Sequence, residues 1–272
     1  MPDEPTVLRD LTYADVQGHR LGLDLYLPAT GAGPVPTVVW VHGGAWYGGD
    51  KAWWCHAAFL ATRGYTVASV NYRLSGDAIF PAQIHDVKGA IRWLRAHADE
   101  YRLDPLRFGA WGDSAGGHLV ALLGTSYGVP ELEGDTGGHL EQSSRVQAVC
   151  DWFGPTDMLQ IGDHPGEPDH YGPDSAEAKL FGGPVHARRE LVTLANPITH
   201  VRPDAPPFLI QHGDLDAIVP YQQSDLLADA LRASGVPVTL EIVRGAGHGF
   251  HGSEAAEAAD FFDRHLRPHS ES

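Results

Sequence analysis

The chain has 272 residues, and 43% of them are apolar, which is enough for the core of one large domain. Its formal net charge of −16 repels phosphates and anionic lipid heads, so we exclude nucleic acid and membranes as expected partners. No apolar run approaches the ~20 residues of a membrane span, and the first residues lack the features of a signal peptide. We therefore predict a single cytoplasmic domain over residues 1–272.

The chain contains two cysteines, Cys55 and Cys150. Cys150 lies in an apolar run that includes Val149 and Trp152, which is typical of a buried thiol. A disulfide between the two stays open, because the sequence does not place them together.

Strands and helices alternate along most of the chain. Leucines at every second position over 21–27 predict a half-buried strand that pairs antiparallel with residues 6–13, and the apolar run 37–41 predicts a strand covered on both faces. The other predicted strands are 65–70, 107–112, 146–153, 208–210 and 238–243. The predicted helices are 51–63 (stopped by Gly64), one that begins near Pro81, 114–126, 221–234 and 253–266. Repeated βα units imply a mostly parallel sheet, of eight strands in all, with helices on both faces.

The regular pattern fails between residues 154 and 199, a stretch rich in Pro, Gly, Asp and His. Two short helices are predicted within it, around 175–180 and 186–194. Interruptions of this length in a compact domain are usually functional or disordered. We interpret this one as a small cap inserted in the single domain.

The sequence Gly-Asp-Ser-Ala-Gly at residues 112–116 fits the pattern G-x-S-x-G between a predicted strand and a predicted helix. In that setting the serine occupies a tight turn, and glycine on either side avoids a collision. The helix N-terminus also favours negative charge near the serine. We predict Ser114 as a nucleophile; a glycine-rich turn with a capping serine is the alternative.

The sequence His-Gly-Gly-Ala-Trp at residues 42–46 follows the strand at 37–41. A hydrolase needs preorganised N–H groups to stabilise the oxyanion of its tetrahedral intermediate, and a Gly-Gly pair leaves the backbone unobstructed. We predict an oxyanion hole formed by the backbone N–H groups of Gly44, Ala45 and Ala115.

A nucleophilic serine needs a histidine base, and the base needs a carboxylate that orients it. Asp216 and His248 follow two predicted strands and occur in the chain order of the α/β-hydrolase fold. Both loops are expected at the carboxyl edge of the sheet, beside Ser114. Asp214 and His251 stay open as alternative acid and base.

The other histidines are expected to be exposed or structural. His42 and His118 are expected to hold loops near the site. His164, His170 and His186 fit no metal-binding spacing, so we predict neither a metal nor a cofactor.

Taken in order, these motifs and a few others are similar to a known group of enzymes. The chain resembles the esterase/lipase branch of the α/β-hydrolase superfamily that is related to hormone-sensitive lipase, and most closely the bifunctional feruloyl and acetyl-xylan esterase-like group. The resemblance implies Ser114 as nucleophile, Asp216 as acid and His248 as base, and it favours Asp216 over Asp214. It is carried by residues 42–46 with Gly-Asp-Lys at 49–51, 112–117, Asn-Pro-Ile-Thr-His-Val at 196–201 with Asp-Ala-Pro-Pro at 204–207, His-Gly-Asp-Leu-Asp at 212–216 with Val-Pro at 219–220, and Gly-His-Gly-Phe at 247–250.

One departure from that group concerns Ala45, where many relatives have a third glycine. The backbone N–H survives this change, so the oxyanion hole is expected to persist. The extra methyl group is expected to narrow the site against bulky alcohol groups.

The predicted function is a serine carboxylesterase that cleaves short-chain acyl esters through an acyl-enzyme on Ser114. Acetylated sugars and feruloyl-type aryl esters are candidate substrates, and small or imported esters are favoured over whole xylan. Trp46 is expected to line the substrate pocket, whereas Trp53 and Trp54 either offer aromatic surface to substrate or, as we favour, pack a helix on the sheet. An arylformamidase-like amide hydrolase and a non-catalytic binding protein of the same fold are the alternatives. The expected partner is a small-molecule ester, and a homodimer stays open.

Overall fold

A single eight-stranded sheet forms the centre of the computed structural model, which describes residues 4–29, 33–164, 166–250 and 252–267. The strands are β1 Thr6–Val16, β2 His19–Leu27, β3 Val35–Val41, β4 Thr66–Val70, β5 Leu103–Asp113, β6 Ala148–Trp152, β7 Phe208–Gly213 and β8 Val238–Val243. Their order across the sheet is β1-β2-β4-β3-β5-β6-β7-β8. The pairs β1–β2 and β2–β4 are antiparallel and all the others are parallel. The predicted α/β-hydrolase fold with a mostly parallel sheet is confirmed.

Helices cover both faces of this sheet. The α-helices are α1 Ala82–Ala96, α2 Ala98–Tyr101, α3 Ala115–Thr125, α4 Pro130–Glu133, α5 Ala176–Phe181, α6 Arg189–Ala195, α7 Gln222–Ala233 and α8 Glu254–Leu266. The 3-10 helices are His56–Arg63, Ile161–Asp163, Val185–Arg188 and Pro197–His200. Apolar side chains of α1, α3 and α7 belong to the core on one face, and those of α8 and the first 3-10 helix to the core on the other.

The central strand β3 explains why a continuous apolar run predicts a buried strand. Val39 and Val41 point into one core, while Val38 and Trp40 point into the other. Successive side chains of a strand alternate between faces, so a strand covered on both sides needs apolar residues at every position. This burial fixes the carboxyl end of β3, where residues 42–46 begin.

The helix predicted over 51–63 is wrong in its first half. Lys51 is held outside any helix because its N–H donates to Asn71 Oδ1 at 2.6 Å and its carbonyl accepts from Ser69 Oγ at 2.7 Å. The Lys51 ammonium also pairs with the buried carboxylate of Asp24 at 2.7 Å. A 3-10 helix begins only at His56, and it ends at Gly64 as predicted.

The two cysteines are both free thiols: Cys150 is buried in β6 as predicted, and Cys55 is half-buried. In the irregular segment, the first predicted helix corresponds to α5. The second is divided into the 3-10 helix Val185–Arg188 and α6. Within the described ranges, none of the helices has the length and apolarity that crossing a membrane requires.

Asp151 carries a buried carboxyl group in β6. Its Oδ1 accepts from the Gly154 N–H at 2.9 Å, and its Oδ2 has no hydrogen-bond partner among the residues that the structure describes. Burial raises the pKa of Asp151 to about 7, because the charged form loses its hydration.

Asp151→Asn is expected to stabilise the protein at both pH values, and by clearly more at pH 8 than at pH 5. Since folding raises the pKa of this group, the protonated form is favoured in the folded state, and ionisation costs stability as the pH rises from about 4 through about 7. A neutral amide avoids this cost, which has an upper bound of about 4 kcal/mol. Urea unfolding at both pH values measures the difference, with the exposed Asp229→Asn as control. An equal effect of Asp151→Asn at the two pH values would contradict the account.

Candidate active site

Ser114 occupies a strained turn between β5 and α3, with φ 53° and ψ −119°. Its N–H donates to the Trp152 carbonyl at 2.8 Å, which ties the turn to β6. A Cβ atom at Gly112 would lie 2.5 Å from the Gly116 backbone, and one at Gly116 would lie 2.0 Å from the Val41 carbonyl oxygen. The two glycines of the motif are therefore required by close backbone approach, and the turn holds the serine hydroxyl above the end of the sheet.

The structure brings together the three side chains singled out by the sequence. Ser114 Oγ lies 2.9 Å from His248 Nε2, and His248 Nδ1 lies 2.6 Å from Asp216 Oδ2. Because a carboxylate only accepts, Nδ1 carries the hydrogen and the Nε2 lone pair faces the serine hydroxyl. This tautomer is the one that can take a proton from Ser114.

The Asp216 carboxylate accepts three hydrogen bonds and lies close to a fourth polar group. Oδ1 accepts from the N–H groups of Ile218 at 2.8 Å and Val219 at 2.9 Å, while Oδ2 accepts from His248 Nδ1 at 2.6 Å and lies 3.2 Å from His212 Nε2. Burial opposes ionisation, but the interactions with His212 and His248 outweigh it and hold the pKa of Asp216 well below its usual range. The group is thus a fixed negative charge beside the base.

His212 is a site residue that the sequence analysis did not single out. It is fully buried, its Nδ1 lies 2.7 Å from Ser224 Oγ, and its Nε2 donates to the Val219 carbonyl at 2.8 Å and lies 3.2 Å from Asp216 Oδ2. The available signal was its place at the end of β7, four residues before Asp216. That spacing turns both side chains towards the same point.

The alternatives for the acid and the base have different outcomes. Asp214 Oδ1 accepts from the Gly245 N–H at 2.6 Å, so this carboxylate ties the loop after β7 to the loop after β8. The hydrogen bond of Asp214 is therefore made to the backbone, whereas the carboxylate that is bonded to His248 belongs to Asp216. His251 lies outside the described residues.

The loop after β3 is held in an unusual backbone conformation. Gly44 has φ 106°, and a Cβ atom there would lie 2.3 Å from the Gly48 carbonyl oxygen. Ala45 and Trp46 follow with φ 52° and 60°, in the left-handed region that side chains other than glycine rarely adopt. Asp113, beside the serine, fixes the start of the loop, because its Oδ1 accepts from the Gly43 N–H at 2.7 Å.

The three predicted oxyanion donors all border the space in front of Ser114. Gly44 and Ala45 line one cavity at this point, and Ala45 and Ala115 line another. Ala115 is the first residue of α3, so its N–H has no acceptor within the helix. Burial raises the pKa of Asp113 to about 6, although the Gly43 N–H favours its charged form.

His42 and His118 hold the surrounding loops, as the sequence suggested. His42 stacks on Tyr72 with ring centroids 4.5 Å apart, and its Nδ1 donates to the Gly43 carbonyl at 2.7 Å. His118 Nε2 donates to the Ala195 carbonyl at 2.8 Å, which ties α3 to the end of α6. Burial lowers the pKa of His118 to about 4, so this ring is neutral.

Two cavities meet at Ser114. The smaller, of about 480 Å³, lies between residues 168–179 and the loop after β3 at residues 42–46, here called the oxyanion loop after its predicted role, and the larger, of about 790 Å³, contacts His248. Residues that line both include Ala45, Tyr47, Ser114 and Ile218. Aromatic side chains line much of the larger one: Tyr47, Trp53, Trp54, Trp152, Phe153 and Phe250.

The tryptophans near the site contribute in different ways. Trp46 borders the smaller cavity but is only 2% exposed, and its indole N–H donates to His118 Nδ1 at 3.1 Å. Trp53 and Trp54 are 45% and 72% exposed and stack on each other with centroids 5.5 Å apart. The favoured expectation that they pack a helix on the sheet is wrong, because no helix forms at 51–54 in the structure and their rings face the larger cavity.

Two of the irregular segment's histidines, His170 and His186, have side-chain partners within the segment. His170 pairs with Glu177, and His186 packs on Tyr171 with ring centroids 4.4 Å apart. Among the residues that the structure describes, no cluster of three or more His, Cys, Asp or Glu side chains has a metal-binding arrangement.

The fold and the geometry of the site are those of the α/β-hydrolase class. A family model described as BD-FAE matches residues 23–231, and the chain belongs to that family. It is similar to the probable carboxylic ester hydrolase LipM of Mycobacterium tuberculosis, with 34% identity over 92% of this chain. The chain spans 58% of that relative's length.

Two solved structures resemble the whole chain. A truncated form of a carbohydrate esterase from gut microbiota has a TM-score of 0.88 and 35% identity, with 97% of each chain covered. Esterase 2 of Thermogutta terrifontis, phosphonylated by sarin, has a TM-score of 0.80 and 28% identity, with 98% of each chain covered. Both similarities extend over the sheet and the irregular segment alike.

Asp216→Asn is expected to lower kcat by about 10⁴-fold, because the amide no longer holds the tautomer in which His248 Nε2 accepts. Asp214→Asn is the matched control: its amide oxygen still accepts from Gly245, and activity should stay close to wild type. Steady-state kinetics on p-nitrophenyl acetate compares the two. Loss of activity in Asp214→Asn with retention in Asp216→Asn would reverse the assignment of the acid.

His212→Gln is expected to lower kcat by up to about 100-fold, because a small displacement of the Asp216 carboxylate misaligns His248. KM should change little, since His212 lines neither cavity. Ser224→Ala, which removes only the partner of Nδ1, should have a smaller effect. Near-ultraviolet circular dichroism confirms that the core is intact. A folded His212→Gln variant with wild-type kcat would show that the other donors suffice.

Proposed function

We propose that this chain hydrolyses small carboxylic esters through an acyl-enzyme on Ser114, with His248 as base and Asp216 as the acidic member of the triad, whose carboxylate orients His248. The observation that carries the proposal is the unbroken hydrogen-bonded chain from Ser114 Oγ through His248 to Asp216 Oδ2, with steps of 2.9 and 2.6 Å. Each polar atom in it has the donor or acceptor role that acyl transfer requires.

In the first half of the reaction, His248 Nε2 takes the Ser114 proton while Oγ attacks the ester carbonyl carbon. The carbonyl oxygen becomes an oxyanion, which the N–H groups of Gly44, Ala45 and Ala115 stabilise, each worth about 3 kcal/mol. The imidazolium is stabilised by Asp216. It then passes its proton to the leaving alkoxy oxygen, the C–O bond breaks, and alcohol departs.

In the second half, water replaces the alcohol. His248 accepts a proton from water as its oxygen attacks the acyl carbon, and a second oxyanion forms in the same place. His248 returns the proton to Ser114 Oγ as the ester bond to the enzyme breaks. The acid is released and the starting tautomer is restored.

The position of His248, which protonates the leaving oxygen, also indicates which part of the ester each cavity holds. The leaving oxygen must lie within reach of His248, and this residue lines the larger, aromatic cavity but not the smaller one. We therefore place the alcohol group in the larger cavity and the acyl group in the smaller. Acetylated sugars, whose rings stack on tryptophan faces, and aryl esters both suit this arrangement.

We also propose that residues 154–199 act as a cap within a single domain. Pro168, His170 and Lys179 line the smaller cavity opposite the oxyanion loop, so this segment would close one side of the acyl site. A cytoplasmic location and a homodimer stay predictions from the sequence.

An ester panel tests the proposed activity. We expect the hydrolysis rate to decline as the acyl group grows, from short-chain acyl esters and acetylated sugars to feruloyl esters. Ser114→Ala should reduce every rate to background. N-formylkynurenine, an N-formyl amide, is the arm that reports an arylformamidase. Turnover of the amide alone would replace the esterase proposal, and turnover unchanged in Ser114→Ala would remove the nucleophile.

Ala45→Gly is expected to improve the relative rate on tertiary-alcohol esters by about tenfold, because loss of one methyl group widens a site that borders both cavities. Rates on the matching linear esters should stay close to wild type, since the backbone N–H is unchanged. Equal selectivity in the two enzymes would remove the steric role of this methyl group.

A further inference from the structure

The irregular segment carries a buried pair of titratable side chains outside the catalytic triad. His170 precedes α5, Glu177 lies within it, and their side chains are only 5% and 4% exposed. His170 Nδ1 lies 2.8 Å from Glu177 Oε1. Burying both members of such a pair costs hydration, so the pair needs hydrogen bonds on every side to be tolerated.

The second nitrogen of His170 reaches the loop that carries Asp216. Its Nε2 lies 3.1 Å from the carbonyl oxygen of Ile218. A carbonyl and a carboxylate can only accept, so both bonds form together only when both ring nitrogens carry hydrogen. The geometry therefore fits a charged imidazolium between the Glu177 carboxylate and the Ile218 carbonyl.

The charges around His170 favour this state. Burial alone favours the neutral ring, but the hydrogen bond and the charge of Glu177, with help from Asp169, outweigh it and raise the pKa of His170 above its usual value. Asp174 and Lys179 line the same cavity and carry opposite charges. On the loop itself, Asp216 carries a negative charge two residues before Ile218.

The loop contacted by His170 is the one that orients the catalytic carboxylate. The Ile218 N–H donates to Asp216 Oδ1 at 2.8 Å, while the Ile218 carbonyl accepts from His170. Next to it, the Ala217 carbonyl accepts from the Glu167 N–H at 2.7 Å. The segment thus contacts two successive residues of this loop, one of which directly holds Asp216.

We propose that His170 is a positioning residue. As an imidazolium held by Glu177, it ties the irregular segment to the loop of Asp216 and keeps Asp216 aligned with His248. This inference rests on the proposed role of Asp216. When His170 loses a proton, the remaining hydrogen stays on Nδ1 beside the carboxylate. The Nε2 lone pair then faces the Ile218 carbonyl, so the bridge is lost as the pH rises through the pKa of His170.

Glu177→Gln removes the negative charge beside His170 but keeps a side chain of nearly the same size and shape. The glutamine amide can donate to Nδ1 of a neutral ring, which leaves the hydrogen on Nε2 for Ile218 at any pH. We expect kcat for ethyl acetate, followed by pH-stat titration, to fall about fivefold on the alkaline side in the wild type, as loss of one hydrogen bond implies. In Glu177→Gln this fall should be absent. KM should change little in either protein.

Two further variants complete the comparison. His170→Leu removes the bridge at every pH, so its kcat should be low and should lack the alkaline fall. His186→Gln, a histidine of the same segment that packs on Tyr171 and not on the loop of Asp216, should keep the wild-type profile. An alkaline fall of equal size in the wild type and Glu177→Gln, or its absence from the wild type, would overturn the proposal.

A spectroscopic readout keeps this inference separate from the proposed activity. In ¹⁵N-histidine-labelled Ser114→Ala protein, we expect both His170 nitrogens to be protonated at about pH 6, and only Nε2 in a Ser114→Ala background that also carries Glu177→Gln. A neutral His170 in the first protein would overturn the inference. If the wild type hydrolysed no ester, the proposed function would fail while this measurement still reported on the bridge.

Discussion

The hydrogen bond between His248 Nδ1 and Asp216 Oδ2 is the interaction on which the rest of the site depends. It fixes the imidazole tautomer, and only that tautomer presents a lone pair to Ser114. The fold supplies it by ending the parallel strands β5, β7 and β8 at one edge, so that residues up to 134 positions apart meet there. The core on both faces of the sheet is therefore what holds the chemistry in place.

The reactive atoms of the site are surrounded by closely packed backbone in unusual conformations. Ser114, Ala45 and Trp46 have left-handed φ values, and they are held by close contacts at Gly44 and Gly116 that no side chain could share. Asp113 links these two strained turns through the Gly43 N–H. Such strain persists at functional sites because the surrounding structure enforces it.

The sequence was sufficient where one local rule determines the outcome. Apolar periodicity located the sheet and most helices, and the glycines around Ser114 indicated the tight turn that carries it. It was insufficient where contacts between residues far apart in the chain determine the structure. Lys51 pairs with Asp24 and lies outside the helix that was predicted for it, and Trp53 and Trp54 are exposed. His212 lies beside Asp216 only because of where β7 ends. Contacts of this kind depend on tertiary packing, which periodicity does not encode.

Covalent labelling by a fluorophosphonate tests the central claim most directly, because this reagent reacts with a serine only when a base activates it. The account predicts a single adduct, mapped by mass spectrometry to Ser114, and its near-complete loss in folded His248→Asn. Labelling at another residue, or an unchanged labelling rate in His248→Asn, would contradict it.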